Sequence, residues 1–152
     1  MAAVAVKYPA FQELGAEILT VSVDSLATHQ RWQEKEISRM VDGGARYPMI
    51  SDPGGKIGSL FDVFDPKTGL HLRSHFVIDP QGVVQAMEVL AAPVGRNVAE
   101  ILRQLRALRH HQATGEFMPC GWEPGKPTLT EKGDAFSTSR RVWETWKPRN
   151  AF

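Results

Sequence analysis

Arg73 and His75 interrupt an otherwise apolar run, HLRSHFVI, at residues 71–78. A charged residue at the mouth of a buried strand is either engaged in function or keeps its head in water on an apolar stem. Both readings stand for Arg73 on the sequence alone. His71 and His75 alternate along one face of the same run, a pattern compatible with a metal site. A third ligand at a sensible spacing is missing, so no metal is expected. Asp24 and Asp52 each follow a strand-like run and precede a helix-like one, as turn and cap residues do. His110 and His111 fall at a helix end, where they complement the dipole and cap carbonyls. Gly54-Gly55-Lys56 is too short for a phosphate loop, and no dinucleotide fingerprint occurs. Cys120 is the single cysteine. It has no partner for an internal disulfide, no neighbouring base in sequence, and Glu116 and Glu123 on either side oppose a thiolate.

The elements that must position these groups follow from periodicity and turn chemistry. Val4, Tyr8, Phe11 and Leu14 predict a helix over 2–14, with Pro9 inside it and Gly15 after it. Residues 17–23 predict a strand, and Ser25 is the N-cap of a helix running to about Met40. Residues 47–50 predict a short strand, and a short helix follows Asp52-Pro53-Gly54 and ends near Phe61. Residues 71–78 and 83–90 predict a hairpin around Asp79-Pro80-Gln81-Gly82, where Pro80 presets one backbone angle and Gly82 accepts another. The unbroken run Phe76-Val77-Ile78 predicts a strand covered on both faces. Asn97 with Glu100 forms a capping box for a last helix with the stripe Val98, Ile101, Leu102, Leu105 and Leu108, ending near His111. Periodicity then fails. Residues 1–114 read as one α/β domain and 115–152 as an extended tail. Trp122, Trp143, Trp146 and Phe152 make that tail too aromatic for a plain linker and suit it to a partner surface. The first helix needs a sheet to pack on, yet no strand precedes it.

Composition narrows the function classes. With 152 residues, 42% hydrophobic and 23% charged, the chain has the profile of a globular domain. A net charge of +1 gives no case for nucleic acid or an anionic membrane as partner. No apolar run approaches the roughly 20 residues that span a bilayer, and the N-terminus lacks a signal-peptide layout. A lone thiol points to a reducing, cytoplasmic compartment.

Five segments taken in order, YPAFQELGAEILTVSVDS, YPMISDPGGKIGSLFDVF, LRSHFVIDPQGVVQAMEV, PVGRNVAEILRQLRAL and GEFMPCGWEPG, resemble the peroxiredoxins. The branch is the typical two-cysteine, alkyl hydroperoxide reductase type, and the likeness runs to about Thr130. The resemblance implies a thioredoxin-like α/β fold, a mixed sheet flanked by helices. It implies reduction of hydrogen peroxide and alkyl hydroperoxides by an activated cysteine, with no metal and no organic cofactor. It also implies a thioredoxin-like reductant and a homo-oligomer whose tail, through Trp143 and Trp146, wraps a neighbouring subunit. Arg73 matches the family arginine that favours the peroxidatic thiolate and hydrogen-bonds the peroxide oxygens. Trp32 matches an aromatic position near the active site, and ordinary core packing explains it equally well. Arg96 matches a family loop, where it would pair with Glu or Asp or cap a carbonyl, and is given no catalytic role.

Two departures matter more. The family motif with the peroxidatic cysteine would lie immediately before Met1, together with a central strand between residues 17–23 and 71–79. Without that strand two edges go unpaired. Three origins fit: a selenocysteine codon taken for a stop, a wrongly assigned start in a cysteine gene, and a truncated gene or partial product. The resolving cysteine of the family falls at Met118, and Cys120 lies two residues later. Cys120 is therefore a displaced resolving thiol or a free surface thiol. The expected function is a thiol-dependent peroxidase whose peroxidatic residue this chain does not hold, so the chain alone is inactive. The alternative is a non-catalytic, peroxiredoxin-like binding or regulatory module. A third option is a one-cysteine redox protein using Cys120 itself.

Overall fold

The computed structural model describes residues 1–129 and 146–151. The chain divides into two compact units, Met1–Val98 and Ala99–Phe152. Trp143 and Phe152, expected to dock on a partner, lie outside the described residues.

The first unit opens with helix α1, Ala2–Glu13, which buries Ala5, Tyr8 and Phe11 along one stripe. Val4 and Leu14, expected in that stripe, are half-buried at its margins. Pro9 lies inside the helix and has no N–H to give to the turn before it. The helix ends in a Schellman motif. Ala16 N–H bonds Phe11 O at 2.9 Å and Gly15 N–H bonds Gln12 O at 2.8 Å, satisfying carbonyls the helix leaves free.

Strand β1, Thr20–Ser22, pairs in parallel with β2, Met49–Ser51, in the register Thr20 to Met49. The crossover is helical from α2, Leu26–Trp32, through a π-helical stretch, Gln33–Ile37, into α3, Ser38–Met40. Ser25 caps it as expected, its Oγ accepting from Thr28 N–H at 3.2 Å. Gln33 pins the chain beyond: its Oε1 accepts from Ala45 N–H at 3.0 Å and its Nε2 donates to Ala45 O at 3.3 Å. The core here is Ala5, Tyr8 and Tyr47, with Val4, Ile18, Val41, Ala45 and Met49 packed around them. The Tyr8 and Tyr47 rings meet edge to face, centroids 5.6 Å apart.

Helix α4, Lys56–Leu60, leads into a small antiparallel hairpin of β3, Phe64–Asp65, and β4, Leu70–His71. The sequence pattern did not anticipate this hairpin, because two-residue strands show no periodicity. The main hairpin is β5, Arg73–Ile78, with β6, Val84–Leu90. Its turn is built as the sequence predicts. Gly82 sits at φ 83 and Asp79 Oδ1 accepts N–H bonds from Gln81 and Val83, both 2.9 Å. The register skips Gln85, and the side chain of Gln85 donates to Asp79 Oδ2 at 2.7 Å.

One expectation is corrected. β5 is not covered on both faces: Val77 is 8% exposed, but Ile78 is 46% exposed. The sheet lies in three two-stranded pieces, and no described strand pairs with the free edge of β1 or of β5. An apolar run thus forms its strand but lacks the neighbours that would close over it.

The second unit is built on α5, Val98–Thr114, which starts one residue after Asn97 and extends three residues past the expected end. Leu102 is its buried residue, 3% exposed. The short 3-10 turn Pro148–Ala151 follows later in the chain. No helix among the described residues is long and apolar enough to cross a membrane.

Phe11 is 1% exposed. Phe11→Ala should lower unfolding free energy by about 3–5 kcal/mol, read as a fall in the urea midpoint without a change in slope.

Candidate functional site

β5 places Arg73, His75 and Val77 on one face, opposite Leu90, Glu88 and Ala86 of β6. Arg73 is exposed, and its Nε donates to Ala92 O at 2.9 Å, in the loop after β6. From that same loop Arg96 reaches back, its Nε donating to Ser74 O at 2.8 Å. The two guanidinium groups lie in each other's field. Arg96 is exposed, yet desolvation of its head by the surrounding chain holds it below the usual guanidinium range, Arg73 adds to this, and Glu88 opposes it. The start of α1 joins them. Burial lowers the Met1 ammonium below its ordinary value, and Arg96 and then Arg73 lower it further. Tyr47 Oη donates to Met1 O at 3.0 Å and fixes this end of the helix.

The result is a concentration of positive charge at a helix N-terminus. That terminus itself carries roughly half an elementary charge. Positive charge gathered in this way favours a negative group over a positive one. The residues of α1 nearest to it, Met1, Ala2, Ala3 and Val4, offer no nucleophilic side chain. Arg96, expected to pair with an acid or cap a carbonyl, caps the Ser74 carbonyl and also lies in the field of Arg73. Only the fold shows this, since 22 residues separate it from its hydrogen-bond partner Ser74.

The two histidines diverge. His71 Nε2 lies 3.0 Å from Asp52 Oδ2, whereas His75 Nδ1 lies 3.4 Å from Glu88 Oε2. No metal-binding group of three ligands occurs among the described residues. Asp52 is the cap expected of it, accepting Gly58 N–H at 2.9 Å at the start of α4. Burial alone would raise its carboxyl, but Gly58, Ile57 and Lys56 N–H groups together with His71 outweigh burial and hold it below the ordinary carboxylate range. The packing is tight. Gly55, at φ 64, leaves no room for a Cβ beside the Phe64 ring, and a Cβ on Gly58 would strike His71 Nε2. This contact anchors the strand just ahead of Arg73.

Ser22, His29 and Asp24 form a cluster that sequence reasoning missed. Ser22 Oγ lies 2.7 Å from His29 Nε2 and donates to Asp24 Oδ2 at 2.8 Å. It is not a hydrolase triad. The carboxylate bonds the serine instead of His29 Nδ1, which is buried without a partner. Trp32 is half-buried at the last residue of α2, and no described contact joins it to Arg73.

In the second unit Cys120 is exposed at the tip of a turn closed by Trp122 N–H to Pro119 O at 3.2 Å. Trp122 is 2% exposed, stacks on His110 at 4.8 Å, and donates from Nε1 to Lys126 O at 2.9 Å. Arg103 chelates Glu100 at 2.7 and 2.8 Å and donates to Trp122 O at 3.1 Å. Cys120 and Glu123 lie within its field. The charge around Cys120 is therefore mixed, not purely acidic as the local sequence reads. Glu116 is engaged elsewhere, 2.6 Å from His110 Nε2, and His111 Nδ1 meets Glu116 O at 2.7 Å. Those histidines tie the helix end to the next segment and do not cap it in the expected way. Met118 is half-buried, as is Trp146, whose buried Nε1 has no partner among the described residues.

Residues 1–87 match the AhpC/TSA family, and residues 107–137 match the C-terminal domain of 1-Cys peroxiredoxin. The selenocysteine-containing peroxiredoxin PrxU of Peptoclostridium acidaminophilum is 47% identical over 100% of this chain and 74% of its own length. Alkyl hydroperoxide reductase C of Bacillus subtilis is 38% identical over 84% of this chain and 67% of its own. The reduced 2-Cys peroxiredoxin of Plasmodium vivax superposes with a TM-score of 0.77 at 32% identity, covering 84% of this chain and 65% of that one. A cysteine-to-serine mutant of the peroxiredoxin 6 of Arenicola marina gives 0.79 at 27% identity, covering 87% and 63%. The chain thus spans about two thirds of the length of these solved structures.

Since the Asp52 carboxyl is held below the ordinary carboxylate range in the fold, the stability it contributes is complete above the unfolded value and is lost as pH falls through the folded value. Asp52→Asn should lower stability at neutral pH and flatten the acid limb of a pH–denaturation curve. A wild-type acid limb that the substitution leaves unchanged would count against this role. The matching family model, the relatives and the thioredoxin-like α/β architecture make this chain a member of the AhpC/TSA family of peroxiredoxins.

Proposed function

We propose that this chain supplies the anion-stabilising and resolving parts of a thiol-dependent peroxidase acting on hydrogen peroxide and alkyl hydroperoxides. The observation that carries the reading is the Arg73–Arg96 pair beside the first turn of α1. Its two guanidinium groups suit the thiolate before reaction and the negative oxygen that leaves as the O–O bond breaks. The peroxidatic residue itself is a cysteine or selenocysteine outside these 152 residues, because Cys120 is the single cysteine and α1 carries none. The selenocysteine-containing relative supports including the selenium form.

Cys120 is assigned as the resolving thiol. It stands exposed on a turn that Trp122 and Arg103 hold in shape. Its thiolate would attack the sulfenic or selenenic group of a neighbouring chain, displacing hydroxide that takes a proton from solvent to leave as water, and form a bond that a thioredoxin-like protein reduces. Self-association belongs to this reading, and β6 leaves Val84, Met87 and Val89 between 44% and 60% exposed. We place the protein in the cytoplasm, where a reductant of that kind operates and a lone thiol stays reduced.

The test is a peroxidase assay on the native protein with a thioredoxin and thioredoxin reductase couple, next to the 152-residue chain alone. The native protein should turn over hydroperoxide, with a mass above that of this chain, and the isolated chain should not. Arg73→Gln should cost the native protein about 10²–10³-fold in kcat/KM, the scale of losing one anion-stabilising donor. Cys120→Ser should abolish thioredoxin-supported turnover and keep a single stoichiometric peroxide reduction. A native protein identical in mass to this chain and inert toward peroxide would refute the peroxidase reading and favour a binding module.

A further inference from the structure

His75 sits two residues from Arg73 on the same face of β5 and directly opposite Glu88 of β6. Its side chain is 15% exposed, its Nδ1 lies 3.4 Å from Glu88 Oε2, and neither ring nitrogen completes a hydrogen bond. A half-buried imidazole whose two shielded nitrogens have no hydrogen-bond partner among the described residues is costly unless another state of the site uses it. The charged groups that face it are Glu88 from β6 and Arg96 from the loop beyond, with Arg73 next along its own strand. Glu88 also acts on Arg96, so one carboxylate serves two groups.

We propose that His75 takes up a proton when an anion occupies the Arg73–Arg96 pair, with Glu88 as the counter-ion that the imidazolium and Arg96 share. The proposal rests on the reading of that pair as an anion site. With the pair empty, burial and the Arg96 charge keep the imidazole neutral. An anion between the guanidinium groups offsets the Arg96 charge. Glu88 is then free to hold an imidazolium at Nδ1. Linkage requires the reverse as well: a protonated His75 tightens anion binding by the same factor. Such a site loads an acid as its anion arrives, near the arginines that receive the negative oxygen of a cleaved hydroperoxide.

The experiment is a histidine- and arginine-resolved NMR titration of the 152-residue chain, with and without sodium sulfate, at ionic strength matched by sodium chloride. Sulfate keeps its charge across the range used. Sulfate should move the Arg73 and Arg96 Nε–H signals and raise the His75 midpoint. Without sulfate, Glu88→Gln should lower that midpoint and Arg96→Gln should raise it. Arg96→Gln should also remove the effect of sulfate. Calorimetry in two buffers of different ionisation enthalpy should show proton uptake on sulfate binding, absent in His75→Gln although sulfate still binds. Sulfate shifts at both arginines with a fixed His75 midpoint would overturn the proposal alone. Sulfate with no effect on either arginine would overturn it together with the anion-site reading.

Discussion

Two guanidinium groups in each other's field repel one another, and the site depends on the bonds that hold them there. Arg73 donates to Ala92 O and Arg96 donates to Ser74 O, a reciprocal pair of ties between strand β5 and the loop after β6. Each tie uses an Nε of the guanidinium fork. The repulsion is therefore stored by the backbone of a hairpin, whose ladder runs from Arg73–Leu90 to Ile78–Val84. The relative placement of the two arginines is a consequence of the hairpin register.

The register in turn depends on contacts at both ends of β5. At the far end Asp79 organises the turn with two backbone N–H bonds and a side-chain bond to Gln85. At the near end the buried Asp52 bonds His71 while capping α4, and Leu72 N–H bonds Val63 O at 2.7 Å. These are short-range polar devices in a unit with little deep core. They fix β5 along its length but leave its second edge open. The open edges and the exposed Ile78 and Met87 set the structural condition under which further strands or further subunits would add to this chain.

The second unit applies the same logic to a thiol. Trp122 is anchored by stacking, by its indole N–H and by Arg103 on its carbonyl, so Cys120 is displayed by a turn of defined shape. Presentation, rather than local sequence charge, is what the fold adds: Arg103 is 17 positions earlier in the chain, yet its charge reaches the thiol.

Signals that live within a few residues were legible in the sequence. The hairpin turn at Asp79–Gly82, the Ser25 cap, the Gly15 helix end and the Asp52 cap depend on local geometry, and the structure places each as expected. Family membership was legible too, because five segments in order are far more specific than any one of them. Relations between distant residues were not. Nothing in the spacing of Arg73 and Arg96 announces a pair, nor does Glu88 announce itself as the counter-charge of His75 across a ladder. The run Phe76-Val77-Ile78 fixed a strand but not its cover. Burial is decided by which neighbours are present, and that is a property of the sheet, not of the segment. The charge environment of every candidate group was likewise decided by tertiary contacts, since electrostatic fields follow distance in space and not position along the chain.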